Sequence, residues 1–130
     1  MIESFSVKSS MPQELIDITD PLSKIAMRSS ITDGICLVYT PHTTAAITIN
    51  ENADPSVRKD ILKGLSNLKF EQIKFSHNEG NSPAHIKSSI IGCSVMVIIE
   101  NGRLSLGTWQ GIYFCEFDGP RTRKVLVKII

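Results

Sequence analysis

The chain lacks a lopsided charge, a long apolar run and paired cysteines, and each lack closes a class of function. Lysine and arginine number 14 against 13 acidic residues, a net charge of +1, so no sequence-wide field draws it to nucleic acid or to an anionic membrane. Neither is expected as a partner. The longest uninterrupted apolar stretch, Val95 to Ile99, is far short of a bilayer span, and Met1-Ile2-Glu3-Ser4-Phe5 lacks the basic start and apolar core of a signal peptide. A cytoplasmic location is expected. Cys36, Cys93 and Cys115 are odd in number, widely spaced and form no Cys-x-x-Cys pair. They read as small buried hydrophobes in a reducing compartment, without chemistry.

What is there is an ordinary globular composition, 42% hydrophobic and 21% charged over 130 residues, enough to bury one core and too little for two. One domain over residues 1–130 is expected. Ile2 to Val7 and Leu15-Ile16-Asp17-Ile18 read as strands joined by a turn at Met11-Pro12-Gln13, and Thr19 is placed to cap a helix carrying Leu22, Ile25 and Ala26. Asp33-Gly34 ends that segment. Ile35 to Tyr39, apolar on both parities, predicts a strand covered on both sides, and Ala45 to Asn50 predicts an alternating one.

Asp54-Pro55 is a cap followed by proline at the first helical position, with Val57, Ile61, Leu62, Leu65 and Leu68 on one helical face. Phe70 to Phe75 reads as a short strand, and Ser82-Pro83 repeats the cap-plus-proline signal for a helix ending near Gly92. Cys93 to Glu100 predicts a buried strand, Asn101-Gly102 a two-residue hairpin turn, and Arg103 to Leu106 its return. Trp109 to Phe117 and Thr122 to Ile130 are expected as a further pair around Asp118-Gly119-Pro120. Some three helices among more strands than they can separate imply α+β with a mixed, strongly curved sheet.

Histidine is scarce and unevenly placed. The stretch from Ser76 to His85 carries both His77 and His85, and His42 follows a buried strand and a proline. Three unrelated elements each ending in an imidazole suggest convergence on one point. That set suits a catalytic zinc or another transition metal, although no short motif such as His-Glu-x-x-His fixes the spacing. Histidines that cap or hydrogen-bond locally are the competing reading. The turn from Asn81 to His85 also offers backbone N–H groups to a phosphate oxygen. Asp54 is most simply a helix cap, whereas Glu51, Glu79, Glu116 and Asp118 have no such structural explanation; Glu116 or Asp118 can serve as ligand, orienter or general base. Arg121 and Arg123 share a strand parity and either grip phosphate bidentately or form surface ion pairs or salt bridges to another subunit. Trp109 and Gln110, flanked by Gly107 and Gly111, either close over a ligand or pack at a glycine-rich bend.

Four blocks in order, His42-Thr43-Thr44-Ala45-Ala46 with Glu51-Asn52-Ala53-Asp54-Pro55, His77-x-x-Gly80-Asn81-x-x-Ala84-His85, Gly102-x-Leu104-x-Leu106-Gly107-Thr108-Trp109-Gln110, and Glu116-Phe117-Asp118-Gly119-Pro120-Arg121, resemble the YjbQ-like family nearly end to end. The resemblance implies a compact barrel-like α+β fold, a homotrimer, and histidines able to hold a metal at His42, His77 and His85. It puts the family's polar positions on Glu51, Asn52, Asp54, Asn81, Gln110, Glu116 and Asp118. Members are labelled secondary thiamine-phosphate synthase, a reaction that joins a pyrimidine diphosphate to a thiazole phosphate, releases pyrophosphate and usually asks for Mg²⁺. The expected function is a metal-assisted enzyme acting on a phosphorylated small molecule: His42, His77 and His85 on zinc or another transition ion, Glu116 or Asp118 handling protons, and Asn81, Gln110 and Arg121 holding the ligand. The alternative is a non-catalytic trimer that binds a metal or a phosphorylated ligand.

Overall fold

The computed structural model describes residues 2–130. Its elements are β1 (Ile2–Lys8), β2 (Glu14–Asp17), α1 (Thr19–Arg28), β3 (Asp33–Tyr39), β4 (Ala45–Glu51), α2 (Pro55–Ser66), a 3₁₀ turn (Phe70–Gln72), α3 (Ser82–Ile91), β5 (Ser94–Glu100), β6 (Arg103–Leu104), β7 (Gln110–Glu116) and β8 (Thr122–Ile129). The strands expected in one mixed sheet separate into two, ordered β1-β8-β3-β5-β6 and β2-β7-β4, with every pairing antiparallel. The larger sheet curls into a half-barrel, giving a single α+β domain with three helices.

Side-chain parity decides what lies inside. Val7, Cys36, Val38, Val97, Ile99, Val125 and Val127 of the larger sheet meet Ala45, Ile47, Ile112 and Phe114 of the smaller one, with Leu22, Ile25 and Ala26 of α1 in the same cluster. The opposite face of the smaller sheet, through Leu15, Ala46, Tyr113 and Cys115, packs against Ala84 of α3, with Ile61, Leu62 and Leu65 of α2 partly buried against it. The strand β7 is therefore covered on both faces, which is why its sequence is apolar almost throughout.

Several sequence expectations are corrected. The strands β3 and β5 are not covered on both sides: Cys36, Val38, Val97 and Ile99 point inward, while Met96 is 70% and Ile98 64% exposed. An apolar run on both parities means that both faces are apolar, and among the described residues no element covers the outer one. Cys93 is exposed, unlike Cys36 and Cys115, whose burial pushes their thiols up to about 11 and about 12. Asp33 and Gly34 begin β3 rather than ending the helical segment. The segment from Phe70 forms a 3₁₀ turn instead of a strand, entered through Lys69 in the left-handed region at φ 60° and tied down where Lys87 Nζ donates to Glu71 Oε1 at 3.2 Å.

Capping differs as well. Thr19 does not cap α1: its hydroxyl donates to Asp17 Oδ1 and accepts from the Ile112 N–H, so it joins the helix start to β7. Asn81, not Ser82, stands before α3. Asp54 does cap α2, accepting from Ser56 N at 2.9 Å. The Asn101-Gly102 turn has positive φ at both residues, as a tight hairpin demands, although its return strand β6 is only two residues long. Finally, β7 and β8 do not pair with each other. They lie in different sheets, and the chain from Phe117 to Arg121 crosses between them.

Candidate functional site

That crossing forms one wall of a polar cavity of about 350 Å³. The corner after β3 supplies Pro41, His42, Thr43 and Thr44, the loop before α3 supplies His77, Glu79 and Asn81, the first turn of α3 supplies His85, and the crossing with β8 supplies Asp118, Arg121 and Arg123. All three histidines therefore line one cavity. The His77 and His85 rings stand edge to face, centroids 5.4 Å apart at 89°. Among the described residues, no three histidine, cysteine, aspartate or glutamate side chains gather as a group that could hold a metal ion.

The wall is built on a buried ion pair. Glu116 is 0% exposed and takes Arg123 Nε at 2.9 and 3.1 Å, with Arg123 Nη2 also on Oε2. Ser9 Oγ donates to Oε1 at 2.7 Å and Asp118 N to Oε2 at 3.1 Å, while Arg123 Nη2 donates on to Thr44 Oγ1 at 2.9 Å. Burial alone works to raise the Glu116 carboxyl, yet the donors from Arg123, Ser9 and Asp118 N outweigh it and hold the group below the usual carboxylate range. Both oxygens are engaged inside the wall, which leaves Glu116 poorly placed to take a proton from a ligand. Gly119 is required beside it: a Cβ there would meet Met11 O at 2.4 Å and Ser9 Oγ at 2.8 Å.

Asp118 and Arg121 face the cavity differently. Arg121 donates through Nε to the Asp118 carbonyl at 2.8 Å and through Nη2 to Asp118 Oδ2 at 3.0 Å, and half of its side chain remains exposed. Asn81 Nδ2 donates to the same Oδ2 at 2.9 Å. A carboxylate can only accept, so the amide is held that way round, and its Oδ1 is buried with no partner among the described residues. His42 accepts from the Lys124 backbone N–H through Nε2 at 2.9 Å. Its imidazole is held below the ordinary range by burial first and then by the positive charges of Arg123 and Arg121, against the opposing charge of Glu116.

Gln110 is not brought to this cavity. It begins β7 opposite Glu51, six residues from Glu116, or about 20 Å along an extended strand, and its Oε1 accepts from Gly107 N at 2.8 Å. Trp109 beside it is 63% exposed. Glu51, Asn52 and Asp54 stay at that end as well, where Tyr113 Oη donates to the Glu51 carbonyl at 3.0 Å and Asn52 Nδ2 to Asp17 at 3.3 Å. Sequence reasoning missed Ser9 and Thr44 as partners of the buried ion pair and the Lys124 amide as the partner of His42, and it left Arg123 between gripping phosphate and surface ion pairing, where the structure buries it against Glu116. The signal for Arg123 was present: it shares the inward parity of Val125 and Val127 on β8.

Comparison with known proteins agrees with the fold. A family model described as UPF0047 protein YjbQ-like matches residues 3–130. A UPF0047 protein of Methanocaldococcus jannaschii is 54% identical over 130 residues, covering 100% of this chain and 94% of that protein. The UPF0047 protein YugU of Bacillus subtilis is 52% identical over 131 residues, covering 100% and 99%. Among solved structures, an uncharacterized conserved protein of the same family from Clostridium acetobutylicum superposes with a TM-score of 0.96 at 55% identity, covering 98% of this chain and 99% of that one. A YbjQ-like protein of unknown function from Sulfolobus solfataricus reaches 0.94 at 34% identity, covering 99% and 95%.

Proposed function

Because this chain belongs to the UPF0047 family of YjbQ-like proteins, and because its histidines share one polar cavity with Asp118 and Arg121, we propose that it is a small enzyme acting on a phosphorylated small molecule. The observation that carries the reading is the company Arg121 keeps. A half-exposed guanidinium, anchored through Nε and one amino group, has further N–H donors for a phosphate oxygen, and imidazoles and a carboxylate capable of moving protons stand around it. The cavity volume suits a small metabolite. Asp118 is the better proton carrier of the two carboxylates expected, since its accepted bonds fall on Oδ2, whereas Glu116 is engaged at both oxygens.

The specific activity proposed is thiamine-phosphate synthesis as a secondary reaction, in which the pyrimidine group moves from pyrophosphate to the nitrogen of a thiazole phosphate and pyrophosphate leaves. A divalent ion fits only part of the expected donor set. His77 and His85 stand side by side and Glu79 shares their wall, but the lone-pair nitrogen of His42 is already bonded to the Lys124 amide. The His77 and His85 pair would hold a transition ion, and Asp118 with phosphate oxygens would suit Mg²⁺; either ion would supply charge stabilisation to a phosphate. The test is formation of thiamine phosphate from the two precursors with Mg²⁺, Mn²⁺ or Zn²⁺, in wild type and Asp118→Asn. Turnover lost in the variant with phosphate binding kept supports the enzyme. A protein that binds phosphate and never turns over is the non-catalytic module instead.

The same reading includes a homotrimer in the cytoplasm. Its support is the bare outer face of the larger sheet, where register sets Ile35 opposite Ile98 and Leu37 opposite Met96, with Tyr39 and Leu126 adjoining. A contiguous apolar patch of that kind favours burial against another subunit. Light scattering should return three times the chain mass of 14.4 kDa, and a monomer at micromolar concentration would contradict it.

A further inference from the structure

The three histidines are not equivalent, because the fold has committed a ring nitrogen of His42. At the corner after Tyr39, where the pairing of β3 with β8 has ended, the Lys124 backbone N–H points at the imidazole and donates to Nε2 at 2.9 Å. A backbone amide has a proton to give and cannot accept one here, so Nε2 must carry the lone pair; in the neutral ring the proton then sits on Nδ1. Turning the ring over would set a carbon against the amide and abandon the bond. Protonating both nitrogens would set two N–H groups against each other, beside the charges of Arg121 and Arg123. Glu116 offsets those charges in part, but it is already paired with Arg123.

No other hydrogen bond of the His42 ring is found among the described residues, and Nδ1 is absent from the buried polar atoms left without a partner. That nitrogen therefore has solvent or cavity before it. We propose that His42 is a fixed Nδ1–H donor to an oxygen of the phosphorylated ligand, acting beside Arg121, and that it is not a ligand of any metal the cavity takes. Ligation would require one of two changes. Either Nε2 lets go of the Lys124 amide, leaving a backbone N–H unpaired, or Nδ1 loses its proton to give an imidazolate. Among the described residues, the His77 and His85 rings carry no such constraint. The inference deepens, and rests on, the reading of the cavity as a phosphate site.

Protein labelled at histidine and arginine tests it at pH 7 through long-range proton–nitrogen spectra, with Arg121→Lys assigning the Arg121 signal. The chain holds three histidines, so removing each in turn assigns every histidine signal. In wild type His42 should show a protonated Nδ1 and an unprotonated Nε2, zinc alone should leave that pattern in place, and inorganic phosphate should shift the Nδ1 signal. A protonated Nε2 with a bare Nδ1, or a His42 nitrogen that moves on addition of one equivalent of zinc, overturns the inference. If phosphate shifts Arg121 and leaves His42 unmoved, the donor role fails while the cavity reading stands. If phosphate shifts neither, the cavity reading fails and takes the donor role with it.

Discussion

Removing Glu116 isolates the physics of the cavity wall. In Glu116→Ala the Arg123 guanidinium, with its side chain only 2% exposed, keeps the two Thr44 oxygens and loses its counter-charge. An unpaired buried cation left in this way costs about 3–5 kcal/mol. For a chain of this size that corresponds to a fall of roughly 10–25 °C in Tm. Glu116→Gln keeps the shape and one acceptor, and should cost less, about 1–3 kcal/mol. Replacing both partners, Glu116→Leu with Arg123→Met, removes the charge along with its partner and should restore stability to within about 1–2 kcal/mol of wild type. Urea and thermal unfolding followed by circular dichroism, at matched protein concentration, read all three. The order alanine, then glutamine, then the double variant is the signature of a desolvated pair. An alanine variant within about 1 kcal/mol of wild type, or a double variant no better than alanine, would refute the reasoning.

Glu116 also sets an acid limit. Its folded-state carboxyl is depressed, so its contribution is complete above the unfolded value of about 4.3 and is lost as pH falls through the lower folded value; acid unfolding of Glu116→Gln should lack that step. Arg121→Ala should weaken inorganic phosphate binding about tenfold or more in calorimetric titration while leaving Tm nearly unchanged, because the side chain is half exposed. Lys87 is buried, and among the described residues only Gln13 and Glu71 are its partners. Glu71→Ala should therefore cost more in urea unfolding, about 1–3 kcal/mol, than Lys87→Met, which removes the cation instead of stranding it.

Much of the architecture was legible because it is local. Asp54-Pro55 announces a helix start wherever it sits, and Asn101-Gly102 announces a tight hairpin, since each works through the residues next to it. The three histidines were legible for a related reason. His42 lies in the corner after β3, His77 in the loop before α3 and His85 in its first turn, next to residues that pack badly, and loops and element ends are where a sheet and its helices expose side chains to a shared cavity. Periodicity also reported the apolar character of β3 and β5 correctly. It could not say that one of their faces is left uncovered, because covering depends on what other elements are available.

The rest was hidden because it depends on closure between two sheets. Ser9 meets Glu116 across 107 positions, Lys124 meets His42 across 82, and Arg123 meets Thr44 across 79. None of these bonds follows from the residues nearby in sequence. They exist because β7 and β8 part into different sheets, so that the end of β7 brings Glu116, and the crossing after it Asp118 and Arg121, up to the corner that carries His42 and Thr44. Sequence could name the titratable groups but not their partners, and the partners decide the chemistry: the same carboxylate is a base beside a ligand and a counter-ion beside Arg123. Sequence could likewise name an imidazole, but only the distant Lys124 amide fixes which of its nitrogens bears the proton.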